Sequence, residues 1–146
     1  MVDLKRQAEL RDAIEGMFFS YRAFTERPDR ILERRGLGRV HHRILYFVGR
    51  NPGVSIKGLL DILKVSKQAL NAPLRQLIEM KLLDASANAE DRRVRNLSLT
   101  EEGRHLEAEL TGAQMKHLDA VLAQVGPGAE AGWREVTAAL AATPHG

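Results

Sequence analysis

Cysteine is absent from this 146-residue chain. Its absence excludes disulfide bonds, thiolate nucleophiles, thiol-based redox sensing and thiolate zinc sites. No stretch approaches the ~20 apolar residues that a membrane-spanning helix needs. The first residues also lack the apolar core and cleavage site of a secretory signal. We therefore expect a cytoplasmic protein that does not enter a membrane.

The motifs of common enzymes are missing as well. There is no glycine-rich phosphate loop, no Gly-x-Ser-x-Gly nucleophile elbow and no convincing pair of carboxylates. The histidines show neither His-x-x-x-His nor His-Glu-x-x-His spacing, and two adjacent ones would lie on different faces of a helix. We expect no enzymatic activity, no metal ion and no cofactor. The histidines in question are His41, His42, His105, His117 and His145.

The net charge is only +3, which by itself says little about partners. Its placement says more, because arginines outnumber acidic residues between positions 22 and 50, and Arg92, Arg93 and Arg95 lie close together. Segregated positive charge makes a basic face that attracts phosphate groups. A solvated, arginine-rich surface without such a role is the alternative that the sequence leaves open.

Apolar spacing predicts helices before residue 51. Leu4–Phe24 has apolar residues three and four positions apart, which is typical of an amphipathic helix. Pro28 should mark its end. A second helix is expected over about Gly38–Arg50, and Asn51-Pro52-Gly53 is a strong turn signal.

The central segment has the order of elements found in one DNA-binding unit. Ser55 can cap a short helix and Ser66 a second one. Leu82–Ala85 and Val94–Leu99 can form strands joined by a polar loop. Helix, turn, helix, strand, loop, strand is the layout of a winged helix-turn-helix. The predicted fold class is therefore mainly α, an α+β winged helix-turn-helix with about six helices and a wing of two to three strands.

The helix that begins after Ser66 has one apolar and one polar face. The polar face carries amide and cationic side chains, which can pair with adenine and guanine edges in the major groove, at ~1–3 kcal/mol of discrimination each. Pro73 lacks an N–H group, so we expect a kink or a widened turn there and not a break. A solvated helix face is the alternative. The predicted DNA-reading residues are Lys67, Gln68, Asn71 and Arg75.

The loop between the strands carries Asp91, Arg92 and Arg93 at its tip. A guanidinium group gains from the negative potential of a narrow minor groove. A carboxylate can orient a neighbouring guanidinium through a charge-assisted hydrogen bond. We predict that these three residues take part in DNA binding, and a charged hairpin tip without a role is the alternative.

The C-terminal part is predicted to be helical. Thr100-Glu101-Glu102-Gly103 should open the longest helix, with Thr100 or Ser98 near its cap. This helix should run to about Val125, and Gly126-Pro127-Gly128 separates it from a last helix over about Ala129–Ala142. These helices and the first one carry more apolar surface than a small lobe can cover. We expect residues 1–36 and 101–146 to form dimerisation segments around a winged domain at 37–100, with two recognition helices ~34–36 Å apart. An intramolecular bundle is the alternative.

Several of these segments resemble the MarR family of bacterial transcription regulators. They are Ser66–Leu83, the wing Asp91-Arg92-Arg93, and Leu97–Arg104, which contains the Leu-Thr-x-x-Gly pattern. The resemblance implies a homodimer that binds double-stranded DNA at near-palindromic operators, usually as a repressor. It places the four polar residues of the Ser66 helix on the recognition helix. Two residues depart from the family pattern, because Ala72 replaces a common DNA-contacting arginine and Pro73 a common aliphatic residue.

Many members of this family release DNA when a small, often aromatic, anion fills a pocket between the dimer helices and the winged lobe. In this sequence Phe18, Arg22, His42 and Tyr46 are the candidates to line such a pocket, since they combine aromatic surface with a cation. Core packing of the aromatic residues, with Arg22 in solvent, is the alternative.

The function predicted from the sequence is a DNA-binding transcription regulator. The partners expected are double-stranded DNA, a second copy of the chain and a small aromatic or anionic effector. A winged-helix module that binds a protein and has lost DNA binding is the alternative, and Ala72 and Pro73 are the residues that keep it open.

Overall fold

The computed structural model describes residues 3–143, so the outermost residues of the two predicted dimerisation segments, His145 among them, lie outside the described residues. Within this range the chain forms six helices and a three-stranded sheet, as predicted. The helices are α1 (Leu4–Glu33), α2 (Arg39–Arg50), α3 (Ile56–Leu63), α4 (Lys67–Glu79), α5 (Glu101–Val125) and α6 (Pro127–Ala142). The strands are β1 (Val54–Ser55), β2 (Leu83–Ala87) and β3 (Arg95–Leu99).

Helix α1 is longer than predicted, because Pro28 lies inside it and does not end it. The missing N–H removes one backbone hydrogen bond, to the carbonyl of Phe24. The proline side chain is buried, and this packing offsets the loss. The helix ends at Glu33. In the turn that follows, Gly36 has a φ of +70°, which suits glycine, and the amide of Leu37 donates to the carbonyl of Leu32 at 3.0 Å.

The predicted caps of the winged unit are confirmed. The hydroxyl of Ser55 accepts the amide of Gly58 at 2.9 Å, and the hydroxyl of Ser66 accepts the amide of Ala69 at 3.2 Å. Each bond satisfies an amide that the first turn of a helix leaves without a partner. These caps separate α3 from α4 although only three residues lie between them.

The wing is an antiparallel hairpin of β2 and β3, and β3 is the central strand of the sheet. Leu83 pairs with Leu99 at the base of the hairpin and Ala87 with Arg95 near its tip. Strand β1 was not placed by the sequence, since two residues are too short for a periodic pattern. It pairs with β3 through Val54 and Leu97, which attaches the turn before α3 to the wing.

The core belongs to the winged lobe. The members of the hydrophobic core lie between Leu32 and Leu110, so the core extends past residues 37–100 into the end of α1 and the start of α5. Residues 3–27 and 111–143 contribute no buried apolar side chain in a single chain. The core members are Leu32, Leu37, Ile44, Leu45, Val48, Leu59, Leu70, Leu74, Leu77, Leu82, Leu83, Leu97, Leu106 and Leu110.

A close backbone contact joins the wing to α5. Thr100 caps α5 by accepting the amide of Gly103 at 3.0 Å, and its hydroxyl donates to the carbonyl of Lys81 at 2.7 Å. The amide of Thr100 also donates to the carbonyl of Leu82 at 3.1 Å. A Cβ atom on Gly103 would collide with that carbonyl oxygen. Glycine is therefore required here by the approach of β2 to α5 and not by its own backbone angles.

Candidate nucleic-acid interface

Helix α4 presents its polar face to solvent. Three leucines attach its other side to the core, so the four predicted DNA-reading residues point away from the lobe. All four are exposed. This exposure is what groove binding requires, because a buried face cannot approach base edges. The outward set is Lys67, Gln68, Asn71 and Arg75, and the inward set is Leu70, Leu74 and Leu77.

The two unusual residues of α4 leave the helix continuous. Pro73 is half-buried within a single helix from Lys67 to Glu79, which confirms that it does not break the helix. The expected kink or widened turn stays a prediction. Ala72 is exposed beside Asn71, so the polar face contains one small apolar position.

At the tip of the wing, the carboxylate of Asp91 orients the guanidinium of Arg93. The carboxylate of Asp91 accepts Nε of Arg93 at 3.1 Å and Nη2 at 3.2 Å, so the guanidinium is held by two hydrogen bonds. The side chain of Arg93 is 91% exposed, so its free edge is available to a ligand. The predicted orienting role of Asp91 is thus visible in the geometry. Arg92 is also exposed, on the same tip.

The protonation of Asp91 is set by the same contacts. Hydrogen bonds from the side chain and then the backbone amide of Arg93 lower the pKa of the Asp91 carboxyl below its usual value. The carboxylate therefore stays ionised at neutral pH. It neutralises part of the charge of Arg93 and orients its guanidinium.

Asn88 shapes the tip, and sequence reasoning missed it. Its side-chain oxygen accepts the amides of Glu90 at 2.8 Å and Asp91 at 3.1 Å, and its amide nitrogen donates to the side chain of Asn96 at 3.4 Å. Asparagine often stabilises turns in this way. The residue type was the only sequence signal for this role.

A cavity of about 340 Å³ lies between α1, α2 and α5. His42 and Tyr46, two of the four predicted pocket residues, line it. Its walls combine aromatic and aliphatic side chains with two arginines on the α2 side and the carboxylate of Asp29, which is paired with one of those arginines. This size and mixture fit a small organic ligand. The lining includes Tyr21, Phe24, Thr25, Arg39, His42, Arg43, Tyr46, Phe47, Thr111 and Met115.

The other two predicted pocket residues, Phe18 and Arg22, do not line this cavity of the single chain, and their part in an effector pocket stays a prediction. Phe18 lies seven residues before Thr25 on the same side of α1, about 10 Å further along the axis, and it is 63% exposed. Arg22 is exposed as well.

Two arginines of α2, Arg39 and Arg43, line the cavity, whereas Arg22 does not. Arg43 donates from Nη2 to the hydroxyl of Tyr21 at 3.1 Å, and within residues 3–143 no carboxylate lies within 4.0 Å of it. Arg39 is held by Asp29, with Nε and Nη2 at 3.0 and 2.9 Å from Oδ2. Arg43 is therefore the cation with free capacity. The signal for it was the spacing of residues 39, 42, 43 and 46 along one side of α2.

His42 is a neutral member of the cavity wall. Burial lowers the pKa of its imidazole, and this effect exceeds the opposing field of Glu107. Its Nε2 lies 3.1 Å from the hydroxyl of Thr111, which ties α2 to α5. His42 thus offers a hydrogen-bonding group and no positive charge at neutral pH.

Residues 3–143 contain neither a cluster of metal-ligating side chains nor a helix that could span a membrane. Among residues 3–143, no group of three or more histidine, aspartate or glutamate side chains is arranged to hold a metal ion. None of the helices in that range is both long and apolar enough to cross a bilayer.

Comparison with known proteins agrees with this geometry. Residues 35–94 match the sequence model of the MarR family. Over 132 residues the chain is 46% identical to PetP, an HTH-type transcriptional regulator of Rhodobacter capsulatus, and the match covers 90% of this chain and 80% of PetP. This result confirms the resemblance seen in the sequence.

Solved structures show the same fold. The crystal structure of a MarR family transcription regulator superposes with a TM-score of 0.78, covers 94% of this chain and 91% of its own, and is 21% identical. NadR, solved in complex with 4-hydroxyphenylacetate, gives a TM-score of 0.72 over 88% of this chain and 92% of its own, also at 21% identity. With the winged lobe and the identity to PetP, these similarities establish that the chain belongs to the MarR family and is a DNA-binding transcription regulator.

Proposed function

We propose that this protein is a homodimeric repressor that reads a near-palindromic operator and releases it when a small aromatic anion enters the cavity. The observation that carries the DNA-reading part is the exposure of all four polar residues of α4 opposite its buried leucines. The relatives are transcription regulators, which favours this function over the protein-binding alternative. A cytoplasmic location would suit operator binding.

In this proposal α4 enters the major groove. Gln68 and Asn71 are suited to adenine, and Lys67 and Arg75 to guanine, through the hydrogen-bonding pattern of each base. Ala72, which lies on the same face, suits the methyl group of thymine. The replacement of the family's common arginine would then change which base is read at one position and not abolish reading.

The wing adds a contact to the neighbouring minor groove. Asp91 orients the guanidinium of Arg93 through two charge-assisted hydrogen bonds. Its remaining donors, together with the exposed Arg92, meet the enhanced negative potential of a narrow groove.

Dimerisation accounts for the apolar surface that one chain leaves exposed. Phe18 is 63% exposed, Trp133 47% and Val136 64%, and a surface of this kind marks a protein interface. We propose residues 1–36 and 101–146 as the dimerisation segments, with 37–100 as the winged domain between them. Further exposed members are Leu10, Ile14, Met17, Phe19, Val121, Val125 and Leu140.

The effector proposal rests on the cavity. Its aromatic walls suit a ring, and Arg43 suits a carboxylate, while neutral His42 suits a hydroxyl or carbonyl group. NadR, which has the same fold, was solved with an aromatic carboxylate. An effector in this position touches α1, α2 and α5 together and can change how the lobe sits on the dimer helices.

One experiment tests the DNA-reading proposal. Duplexes bound by the protein are selected from a random pool, and the affinity for the selected site is then measured for the parent and for Asn71→Ala. We expect a two-fold symmetric site and a loss of base preference at one position per half-site in the variant. The matched control is Gln124→Ala, an exposed residue near the end of α5. Recovery of no preferred sequence would contradict the proposal, and an asymmetric single site would contradict the dimer.

A further inference from the structure

A chain of three hydrogen bonds joins the recognition helix to the start of α2. The backbone amide of Gly38 donates to Nδ1 of His41 at 2.9 Å. Nε2 of His41 lies 2.9 Å from Oε1 of Gln76, and Nε2 of Gln76 donates to the carbonyl of Gly36 at 3.3 Å. These four residues, which we call the clasp, connect α4 to α2 and to the turn that follows α1.

The donors and acceptors of the clasp fit one tautomer of His41. Because Nδ1 of His41 accepts the amide of Gly38, that nitrogen carries no proton, and the ring proton lies on Nε2. Nε2 therefore donates to Oε1 of Gln76, which leaves the amide group of Gln76 to donate to Gly36. Each group fills one role only, so the clasp fixes its side chains in a single arrangement.

The clasp is located where it can set the orientation of the recognition helix. Gln76 directly follows the groove-facing Arg75, about a turn after Asn71. His41 is only 9% exposed, so the bond between them is shielded from water. The leucines of α4 supply apolar packing, which tolerates small sliding and rotation better than directed hydrogen bonds do.

We propose that His41 and Gln76 are positioning residues for DNA reading, which hold α4 at the rotation and tilt that align its polar face with the base edges. This inference rests on the assignment of α4 as the recognition helix. Phosphate contacts tolerate small shifts because they are electrostatic, whereas paired hydrogen bonds to bases do not. Loss of the clasp therefore lowers binding to the operator more than binding to unrelated DNA.

The test compares variants of the full-length protein on the selected site and on a random duplex of equal length. Gln76→Met keeps the length and the packing of the side chain but removes both hydrogen bonds. We expect about a tenfold loss of operator affinity, equivalent to ~1.4 kcal/mol, with unchanged affinity for the random duplex. Gln124→Met, which makes the same change on an exposed turn of α5, is the control. Because Gln124 lies in a proposed dimerisation segment, sedimentation first verifies that the variant has the oligomeric state of the parent, and it should then alter neither affinity.

His41 is tested by loss and by rescue. His41→Ala should match Gln76→Met, and the double variant should lose no more than either single change, because both remove the same network. His41→Gln should restore operator affinity, since a glutamine oxygen can accept the amide of Gly38 and its nitrogen can donate to Gln76. A residue that only maintained general stability would not show this selectivity for the operator.

A spectroscopic measurement completes the design. The ¹⁵N shifts of the His41 imidazole should report a proton on Nε2 in the parent, and also in Gln76→Met, because the amide of Gly38 still donates to Nδ1 there. The inference is overturned if Gln76→Met binds the operator as the parent does, if operator and random duplex weaken equally, or if Nδ1 carries the proton. Failure of the parent itself to prefer any site would instead refute the proposed function, and the two failures are therefore distinguishable.

Discussion

The contact between Gly103 and the carbonyl of Leu82 leads to a sharp prediction about stability. In Gly103→Ala the new methyl group would collide with the Leu82 oxygen and lie 3.0 Å from the Leu82 carbonyl carbon, both of them backbone atoms that cannot rotate away. Either β2 moves away from α5 or α5 shifts along its axis. Both movements stretch the bond from the Thr100 amide to the same oxygen, now 3.1 Å.

The magnitude follows from the terms involved. Crowding in a packed region costs ~1–3 kcal/mol, and weakening a partly buried hydrogen bond costs about 1 kcal/mol. Alanine gains up to ~1 kcal/mol over glycine in a helix. We expect Gly103→Ala to lower the free energy of unfolding by about 2 kcal/mol.

Gly112 provides the matched control in the same helix. A Cβ atom there meets nothing within 4 Å, so Gly112→Ala should raise the free energy of unfolding by ~0.5–1 kcal/mol. The assay is urea unfolding followed by circular dichroism, at one protein concentration because the stability of a dimer depends on concentration. If Gly103→Ala were as stable as the parent, the proposed role of this glycine would be refuted.

Three further predictions concern the wing, the cavity and pH. Arg93→Ala should weaken binding to all duplexes and reduce the dependence of log affinity on log salt by about one unit. Arg134→Ala, which removes a guanidinium from α6, is the control and should do neither. Equal salt slopes for Arg93→Ala and the parent would contradict the wing contact. Arg43→Ala should abolish the thermal shift produced by an aromatic carboxylate such as 4-hydroxyphenylacetate, while Arg22→Ala should keep it; the reverse result would favour the sequence-based assignment. Burial lowers the pKa of His42, so between that value and about 6.5 the unfolded chain binds more protons than the folded one. The free energy of unfolding should therefore fall as the pH decreases from 7 through this range, and it should fall less steeply in His42→Gln. Identical urea midpoints for the parent and His42→Gln from pH 5 to 7.5 would contradict this prediction.

The sequence was most informative where local chemistry decides the structure. Ser55, Ser66 and Thr100 were recognised as caps, because a hydroxyl at a helix start satisfies an amide whatever the rest of the fold does. The alternation of α4 between leucines and polar residues likewise gave its two faces. Both features depend only on neighbours along the chain.

The sequence failed where distant packing decides. Pro28 was read as a helix end, although its burial inside the fold lets α1 continue. The sequence also did not indicate that Arg43 lines the cavity, because this depends on how α2 packs against α1 and α5. The clasp between His41 and Gln76 spans 35 residues, and no periodic pattern reports such a contact.

The confinement of the core to residues 32–110 has a consequence for subunit exchange. Because each winged lobe has its own hydrophobic core, it would stay folded if the two subunits of the proposed dimer separated. Dissociation would therefore yield folded monomers that each bind one half-site, and not unfolded chains. Such monomers can pair again with any chain whose terminal helices match. In a cell that holds several related regulators, mixed pairs would then recognise hybrid operators, and similarity between terminal helices would determine which regulatory circuits stay insulated from one another.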